Sequence, residues 1–158
     1  MSETRVIGVD VGGSGVKAAL VDVERGELAS DRPRLDTPQP ATPERVADAV
    51  AQLVDRLGGA PTIGGTIPGV VRNGVVRTAA NIDPSWIGTD ARALFSKRLE
   101  APCVVLNDAD AAGLAEMRFG AGKGRSGVVI LLTLGTGIGS ALFVDGELVP
   151  NTELGHME

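Results

Sequence analysis

The 158-residue chain is long enough for one ordinary domain with a sizeable core, and 43% hydrophobic and 22% charged residues are typical of a soluble globular protein. The net charge of −5 argues against nucleic acid as a partner, because phosphate backbones select basic surfaces. The sequence has neither a leader pattern nor an apolar stretch of membrane-spanning length, so we expect a cytoplasmic protein with no membrane partner.

The first part of the chain predicts the antiparallel start of a sheet. Apolar runs at residues 6–11 and 16–23 flank a glycine-rich turn, which is typical of a β-hairpin. A third strand is expected over residues 28–34, followed by a proline-rich loop. The hydroxyl of Thr42 is suited to cap the helix that comes next, and Pro43 suits its first position.

Strands and helices then alternate. The helix that starts at Pro43 should end at Gly58-Gly59. Strands are expected at residues 61–67 and 103–106, with a helix reaching about Leu99 between them. Alternation of this kind after an antiparallel start implies a mixed α/β sheet.

Three residue signals refine this part of the chain. Asn73-Gly74 between two valine pairs predicts a small hairpin with a type I′ turn. Trp86, the only tryptophan, is expected to fill the core in preference to stacking on a sugar. Cys103, the only cysteine, lies in an apolar run, which predicts a buried strand thiol that forms no intramolecular disulfide.

The last part of the chain predicts a helix over residues 109–119, a flexible loop and a second glycine-rich hairpin that ends in a tight turn at Asp145-Gly146. We therefore expect two domains. Residues 1–126 form an N-terminal α/β lobe, and residues 127–158 begin a second lobe that is incomplete.

The glycine-rich hairpin occurs twice. Residues 9–22 recur as residues 132–145 with a constant offset of 123 residues, and each copy contains an apolar strand, a glycine turn, a second apolar strand and an aspartate. A repeat of a whole hairpin suggests two lobes of one ancestry, each with a loop the size of a phosphate. This architecture is typical of phosphoryl-transfer proteins.

The first glycine loop is a candidate phosphate site. Glycines at 12 and 13 allow backbone N–H groups to point at an anion, Ser14 adds a hydroxyl and Lys17 a positive charge. Asp10 can hold Mg²⁺ directly or through water. A plain hairpin turn is the alternative, and the second copy favours phosphate because two loops can hold a chain of phosphates. The candidates in that copy are Gly135, Thr136, Gly137 and Gly139.

Polar residues at a strand end form a second candidate site. The carboxylate of Asp108 can take a proton from a substrate hydroxyl, and the amide of Asn107 can hold a neighbouring hydroxyl. Helix capping is the alternative role for both residues. Asp110 is a competing acid, although its place in the first turn of the helix suits a helix-dipole role better.

Glu153 and the only histidine, His156, lie close to the end of the chain. Zinc needs several ligands and the sole cysteine is far away, so a metal role is disfavoured. The two side chains can pair with adjacent sugar hydroxyls, and the alternative is a frayed terminus with no role. Lys123 and Arg125 are candidates for contact with a long polyanion, with solvated surface as the equal alternative.

Together these motifs resemble the ROK sugar kinases, which have the actin/hexokinase-like (ribonuclease H-like) fold. Three further stretches, at residues 37–43, 78–86 and 149–156, are similar to the actinobacterial polyphosphate glucokinases within that family. The motifs that carry the family resemblance are Asp10-x-Gly12-Gly13-x-x-x-Lys17, Asn107-Asp108, Leu134-Gly135-Thr136-Gly137-Ile138-Gly139 and Glu153-Leu154-Gly155-His156.

The resemblance implies roles for these residues. Asp108 corresponds to the general base that activates the 6-hydroxyl of glucose, and Asn107, Glu153 and His156 correspond to residues that bind sugar hydroxyls, with Asn81 as a further candidate. The glycine loops correspond to the two phosphate motifs. The family implies transfer of the terminal phosphoryl group of polyphosphate, and often of ATP, to glucose with Mg²⁺, by a homodimer.

Departures from the family keep two alternatives open. The zinc-binding cysteine cluster of many ROK proteins is absent, so no zinc is expected, and a DNA-binding helix-turn-helix is absent too. Two copies of a 123-residue unit exceed the 158 residues present, so most of a second lobe is missing. Residues 128–149 would then expose apolar strand faces and an open edge, so the chain alone is expected to self-associate and to have weak or no kinase activity. A non-catalytic sugar-binding regulator and an ATPase of the actin or chaperone type remain as alternatives.

Overall fold

The structure is a computed structural model that describes residues 5–135 and 137–156, with only the backbone of residue 156. The chain divides into two compact units, the first ending at Leu106 and the second beginning at Asn107. The predicted lobe boundary between residues 126 and 127 lies inside the second of these units. As a division between lobes of a larger fold, that boundary stays a prediction.

The first unit contains most of the strands and two of the helices. Its elements are β1 (Arg5–Val11), β2 (Gly15–Asp22), β3 (Glu27–Leu28), β4 (Arg34–Asp36), α1 (Pro43–Arg56), β5 (Ile63–Ile67), β6 (Val71–Arg72), β7 (Val75–Val76), a 3₁₀ turn (Pro84–Trp86), α2 (Ala91–Leu99) and β8 (Cys103–Asn107). The last residue of β8 is the first of the second unit.

A mixed sheet organises this unit, as the sequence predicts. Its strand order is β3-β2-β1-β5-β8, and β4 pairs with β2 beside β3. β1 is antiparallel to β2 and parallel to β5. The central strand β1 therefore ends beside β5 on one side and beside the start of β2 on the other.

Apolar side chains of β1 and α1 form the core of this unit. Ile7, Val46 and Leu53 are fully buried and belong to one cluster. Thr42 is the N-cap of α1, but the prediction that its hydroxyl caps the helix is wrong, because its side chain makes no capping hydrogen bond. Gly58 and its neighbour adopt positive φ after the helix, which confirms the predicted glycine stop.

The predicted third strand over residues 28–34 is wrong in its continuity. In its place the structure has two short strands, β3 and β4, and the segment between them is not part of a strand. Ser30 accepts the N–H of Leu20 with its side-chain hydroxyl at 2.9 Å. Pro33 has no N–H to donate to a strand ladder, although its carbonyl accepts from Ala18 at 3.2 Å.

Predictions for isolated residues of the first unit are confirmed. Asn73 and Gly74 have φ of 54° and 85°, as a type I′ turn requires. Trp86 is fully buried, donates from Nε1 to the carbonyl of Ala41 at 2.8 Å and packs edge-on against Phe95. Cys103 is buried in β8, and burial raises the pKa of its thiol.

The second unit is a helix packed on an antiparallel sheet. Its sheet order is β11-β10-β9, and α3 lies against β10. A Cβ on Gly113 of α3 would lie 2.8 Å from the Cβ of Ala141, so glycine permits this close packing. The elements are α3 (Asp108–Phe119), β9 (Val128–Leu134), β10 (Ile138–Val144), β11 (Glu147–Val149) and a 3₁₀ turn (Leu154–His156).

One face of β9 carries apolar side chains that are exposed. Along this strand every second residue is exposed, and all four are aliphatic: Val128, Ile130, Leu132 and Leu134. Leu134 is 83% exposed. Contiguous apolar surface of this kind is typical of a face that another chain segment or molecule covers. Among the described residues, no helix combines the length and apolarity needed to cross a membrane.

Candidate functional site

The first glycine loop connects β1 to β2 and is packed tightly on its outer side. Gly12 donates its N–H to the carbonyl of Gly15 at 2.9 Å. A Cβ on Gly13 would lie 2.8 Å from the carbonyl oxygen of Asn81, and one on Gly15 would meet the guanidinium of Arg34. Close packing against backbone thus requires glycine at position 13, whereas a side chain at position 15 would displace the guanidinium of Arg34.

Two residues, one on β4 and one just after it, donate hydrogen bonds to carbonyl groups of this loop. Thr37, which is buried, donates its hydroxyl to the carbonyl of Gly12 and its N–H to the carbonyl of Ser14. Arg34 donates from Nη2 to the carbonyl of Ser14 at 2.9 Å. Among the described residues, the N–H groups of Gly13 and Ser14 have no hydrogen-bond partner. These two donors are therefore available to an anion.

A row of four polar side chains crosses the sheet beside the loop, and we call it the polar row. The register pairs Asp10 with Thr66 on one side and with Lys17 on the other, and pairs Lys17 with Arg34. Directly paired residues share a face of the sheet, so all four side chains project from one face. Thr66 donates its hydroxyl to Asp10 at 3.2 Å, and Lys17 Nζ lies 3.6 Å from the same carboxylate.

The second glycine loop is shorter. Gly135 donates its N–H to the carbonyl of Gly137 at 3.0 Å. A Cβ on Gly139 would contact the hydroxyl of Thr133 and would lie 3.0 Å from the Cβ of Ala109 on α3, so packing against the helix explains this glycine. The predicted phosphate ligand Thr136 lies outside the described residues.

Asn107 has both of the roles considered for it. As the N-cap of α3 it is buried, and its Oδ1 accepts the N–H of Asp110 at 3.0 Å. Its Nδ2 donates to Oε1 of Glu153 at 2.8 Å. The next residue, Asp108, is exposed and begins α3, and its Oδ1 accepts the N–H of Ala109 at 3.0 Å. The structure thus places two of the predicted sugar ligands in contact, beside an exposed carboxylate.

Asp110 lies in the first turn of α3, as the sequence predicts, and has a further contact there. It is buried, and its Oδ2 accepts the N–H of Asn151 at 2.8 Å, while its Oδ1 has no hydrogen-bond partner among the described residues. Burial raises the pKa of this carboxyl, the hydrogen bond from Asn151 lowers it, and the charge of Glu153 raises it further. Asp110 therefore ties the segment that carries Glu153 to α3.

Ser140 holds the same segment from the sheet side. Its hydroxyl, which is buried, donates to the carbonyl of Thr152 and accepts the N–H of Leu154 at 2.9 Å. Glu153 is consequently held between two fixed neighbours. The backbone of His156 belongs to the following 3₁₀ turn, and its side chain lies outside the described residues.

The sequence of the chain identifies its relatives. Residues 6–158 match the sequence model of the ROK family. The chain belongs to the ROK family. It is 56% identical to the polyphosphate glucokinase of Mycobacterium leprae over 99% of its own length and 49% of that protein. It is 37% identical to the glucokinase of Streptomyces coelicolor over 90% of the chain and 44% of that protein.

Solved structures agree with the ROK assignment and with the actin/hexokinase-like fold. The polyphosphate/ATP-glucomannokinase of Arthrobacter sp. strain KM matches with a TM-score of 0.94 and 54% identity over 98% of this chain and 64% of that chain. A ROK glucokinase from Streptomyces griseus, in complex with glucose and AMPPNP, matches with a TM-score of 0.86 and 35% identity over 98% and 50%. The ROK chain spans about half the length of the curated relatives it matches.

The sequence analysis did not predict several residues that contact the candidate site of this ROK chain. Arg34 and Thr37 contact the first loop, and Ser140 holds the Glu153 segment. Ser140 had a usable signal, because it occupies the place of Lys17 in the repeat, and Thr37 begins a stretch that carries the family resemblance. The predicted ligand Asn81 is exposed and, with Gln39 and Asp83 among others, lines a cavity of about 280 Å³ next to Gly13.

Candidate metal ligands are sparse in this ROK chain. The described residues contain no group of three or more His, Cys, Asp or Glu side chains that could hold a metal ion. Magnesium needs less, since it is usually held by one or two carboxylates together with phosphate oxygens and water. The exposed carboxylate of Asp10, beside a loop with two available N–H groups, fits that requirement when a phosphate donor is bound.

Proposed function

We propose that this ROK chain supplies the sugar-binding and phosphate-binding parts of a kinase that transfers the terminal phosphoryl group of polyphosphate, and of ATP, to the 6-hydroxyl of glucose. The observation that carries the proposal is the Asn107–Glu153 hydrogen bond beside the exposed carboxylate of Asp108. The names of the relatives, polyphosphate glucokinase and polyphosphate/ATP-glucomannokinase, support the substrates.

Asp108 is proposed as the general base. Its carboxylate accepts the proton of the glucose 6-hydroxyl while that oxygen forms a bond to the terminal phosphorus and the bond from phosphorus to the bridging oxygen breaks. The N-terminal position on α3 fixes the carboxylate through its bond to Ala109. Asn107 and Glu153, with His156, are proposed to bind neighbouring hydroxyls and so to orient the attacking oxygen.

The glycine loops are proposed to bind the donor. The available N–H groups of Gly13 and Ser14 and the ammonium of Lys17 stabilise the negative charge of the phosphates. Asp10 is the proposed Mg²⁺ ligand, directly or through water, and the ion supplies charge neutralisation when bound. The second loop adds a further set of proposed phosphate ligands: Gly135, Thr136, Gly137 and Gly139.

Assembly and location also belong to the proposal. The exposed apolar face of β9 supports association of this chain with itself or with further polypeptide. A homodimer and a cytoplasmic location remain expectations from the family resemblance and the sequence.

Formation of glucose 6-phosphate tests the proposed reaction. The assay compares polyphosphate with ATP for this chain and for its fusion to the part of the Mycobacterium leprae polyphosphate glucokinase that follows the matched region. We expect the fusion to use both donors, and Asp108→Asn to lower its kcat by about 10²- to 10⁴-fold, as loss of general-base catalysis does. Glucose binding confirms the fold of each variant.

Three outcomes contradict the proposal. A fusion that binds glucose but forms no product with either donor supports the sugar-binding regulator. Nucleotide hydrolysis without any need for glucose supports the actin or chaperone type of ATPase. Near-parental turnover of Asp108→Asn would show that another group accepts the proton.

A further inference from the structure

The polar row continues past the residues that the phosphate motif contains. Across the sheet its charged members are Asp10 on β1, Lys17 on β2 and Arg34 on β4. Neighbouring strands lie about 4.8 Å apart, so Arg34 is one strand farther from Asp10 than Lys17 is. The row therefore places a second cation at the outer end of the glycine loop.

Arg34 is held in place by the loop itself. Its Nη2 donates to the carbonyl of Ser14 at 2.9 Å, and its Nη1 donates to the carboxylate of Asp36 at 2.7 Å. The guanidinium lies where a side chain on Gly15 would be, within 2.5–2.9 Å of the Cβ position. Glycine at that position consequently lets the guanidinium approach the loop backbone.

These contacts use only part of the guanidinium. It has five N–H donors, and the two bonds to Ser14 and Asp36 are its hydrogen bonds within the described residues. The side chain is 48% exposed. Donor groups and charge therefore remain available to an anion bound at the loop.

ATP and linear polyphosphate differ in the groups that follow the first few phosphates. ATP carries three phosphates and then an uncharged nucleoside, whereas linear polyphosphate continues as a chain of charged groups. A cation beyond the loop and Lys17 can attract the continued chain but gains little from a nucleoside. Arginine suits this task because its planar fork binds phosphate oxygens in pairs.

We propose that Arg34 binds a phosphate of the donor beyond those held at the first glycine loop, and that it favours linear polyphosphate over ATP. This inference rests on the proposed function, because it assigns an additional contact to the same donor. It predicts selectivity between two donors, which a residue that only supports the loop would not produce.

Binding of linear polyphosphate and of ATP to this 158-residue chain, measured by calorimetry at two salt concentrations, tests the inference. For Arg34→Gln we expect about tenfold weaker polyphosphate binding, the usual size of one charge-assisted contact, and ATP affinity unchanged within about twofold. The salt slope of log Kd for polyphosphate should fall by about one. Arg34→Lys, which keeps the charge but not the planar fork, should lose less polyphosphate affinity than Arg34→Gln.

Arg25→Gln is the matched control. This residue lies in the turn after β2, and its side chain is 76% exposed and forms a 3.9 Å ion pair with Asp22, to which its backbone N–H also donates. The substitution Arg25→Gln also removes one positive charge, but at a position outside the loop. The affinities for polyphosphate and for ATP should therefore match those of the parent chain. Circular dichroism and thermal melting confirm the fold of every variant.

Different results would overturn the proposed role of Arg34 and the proposed kinase function. An equal loss of ATP and polyphosphate affinity in Arg34→Gln, or an equal loss in Arg34→Lys, would assign Arg34 to loop support alone and overturn the inference. No loss relative to Arg25→Gln would also overturn it. Failure of the proposed function is recognised independently, by the absence of glucose 6-phosphate from the fusion with either donor.

Discussion

The two glycine-rich hairpins begin from similar sequences and pair in different registers. In the first, Val11 pairs with Val16 across the turn. The offset of 123 residues maps this pair onto Leu134 and Gly139, but Leu134 pairs with Ile138. The second turn is thus one residue shorter. Because side chains alternate along a strand, a shift by one residue changes which side chains face each other.

The register decides what each hairpin can do. In the first hairpin Asp10 faces Lys17, which creates a charged surface beside the loop. In the second hairpin Thr133, which occupies the place of Asp10, faces Gly139, and Ser140 faces Leu132. Ser140 therefore projects from the opposite face, where its hydroxyl holds the segment that carries the proposed sugar ligand.

We expect the largest difference between the hairpins when the cation of the first is removed. Lys17→Met leaves the loop without its ammonium, so kcat/KM for either phosphoryl donor in the fusion enzyme should fall by about 10²-fold. The KM for glucose should remain within about twofold. Steady-state kinetics with each substrate varied in turn provides the measurement, and a parallel rise in glucose KM would contradict a role confined to the donor.

The corresponding change in the second hairpin should affect the sugar. Ser140→Ala removes the two hydrogen bonds that hold residues 152 and 154, so the KM for glucose should rise about tenfold. The KM for the donor should stay unchanged. Ser126→Ala, in an exposed loop, is the control and should leave both constants unaltered. A rise in donor KM in place of glucose KM would reverse the assignment of the two hairpins.

The sequence predicts local features of this structure better than contacts between residues that are far apart in the chain. Turns at Asn73-Gly74 and Asp145-Gly146 are decided by local backbone preferences, and both were predicted. Contacts between distant segments were not predicted. The bond from Asn107 to Glu153 and the burial of Asp110 depend on the fold of residues far apart in the chain, and no local pattern specifies them.

Register is a further property that the repeat did not reveal. Similar strands permit two pairings that differ by one residue, and turn length selects between them. Family resemblance was more informative for the site, because it marked Asp108 and Glu153 without any knowledge of their contacts. It gave no signal for Arg34, which belongs to a segment where the sequence predicts a strand end and a loop. Thr37 begins one of the stretches that carry the resemblance, but no role was assigned to it.

The exposed face of β9 offers a test of the packing difference between the hairpins. The first hairpin buries Ile7 and Val9 in its core, whereas the second exposes Ile130 and Leu132. We expect the isolated chain to self-associate, and the double variant Ile130→Thr, Leu132→Thr to shift it toward monomer. Light scattering coupled to size-exclusion chromatography measures this shift. A monomeric parent chain would contradict the expectation.

The smallest effect concerns the buried carboxyl of Asp110, which contrasts with the exposed carboxylate of Asp10 beside the first hairpin. The raised pKa of Asp110 means that the folded chain favours the protonated carboxyl more than the unfolded chain does. The carboxyl therefore contributes most to stability below its unfolded pKa of about 3.9, and that contribution is lost as pH rises through the folded pKa. Asp110→Asn keeps an acceptor for Asn151 and removes the charge near Glu153.

We therefore expect Asp110→Asn to raise the melting temperature of the chain by a few degrees at pH 7, and to lose this advantage as the pH falls from the raised pKa of the folded chain to about 4. Asp31→Asn, at an exposed position, controls for the removal of a carboxylate. Thermal melts across the pH range measure both variants. An advantage that does not depend on pH would mean that the gain comes from packing of the amide, because removal of the charge matters only where the carboxyl of Asp110 is ionised.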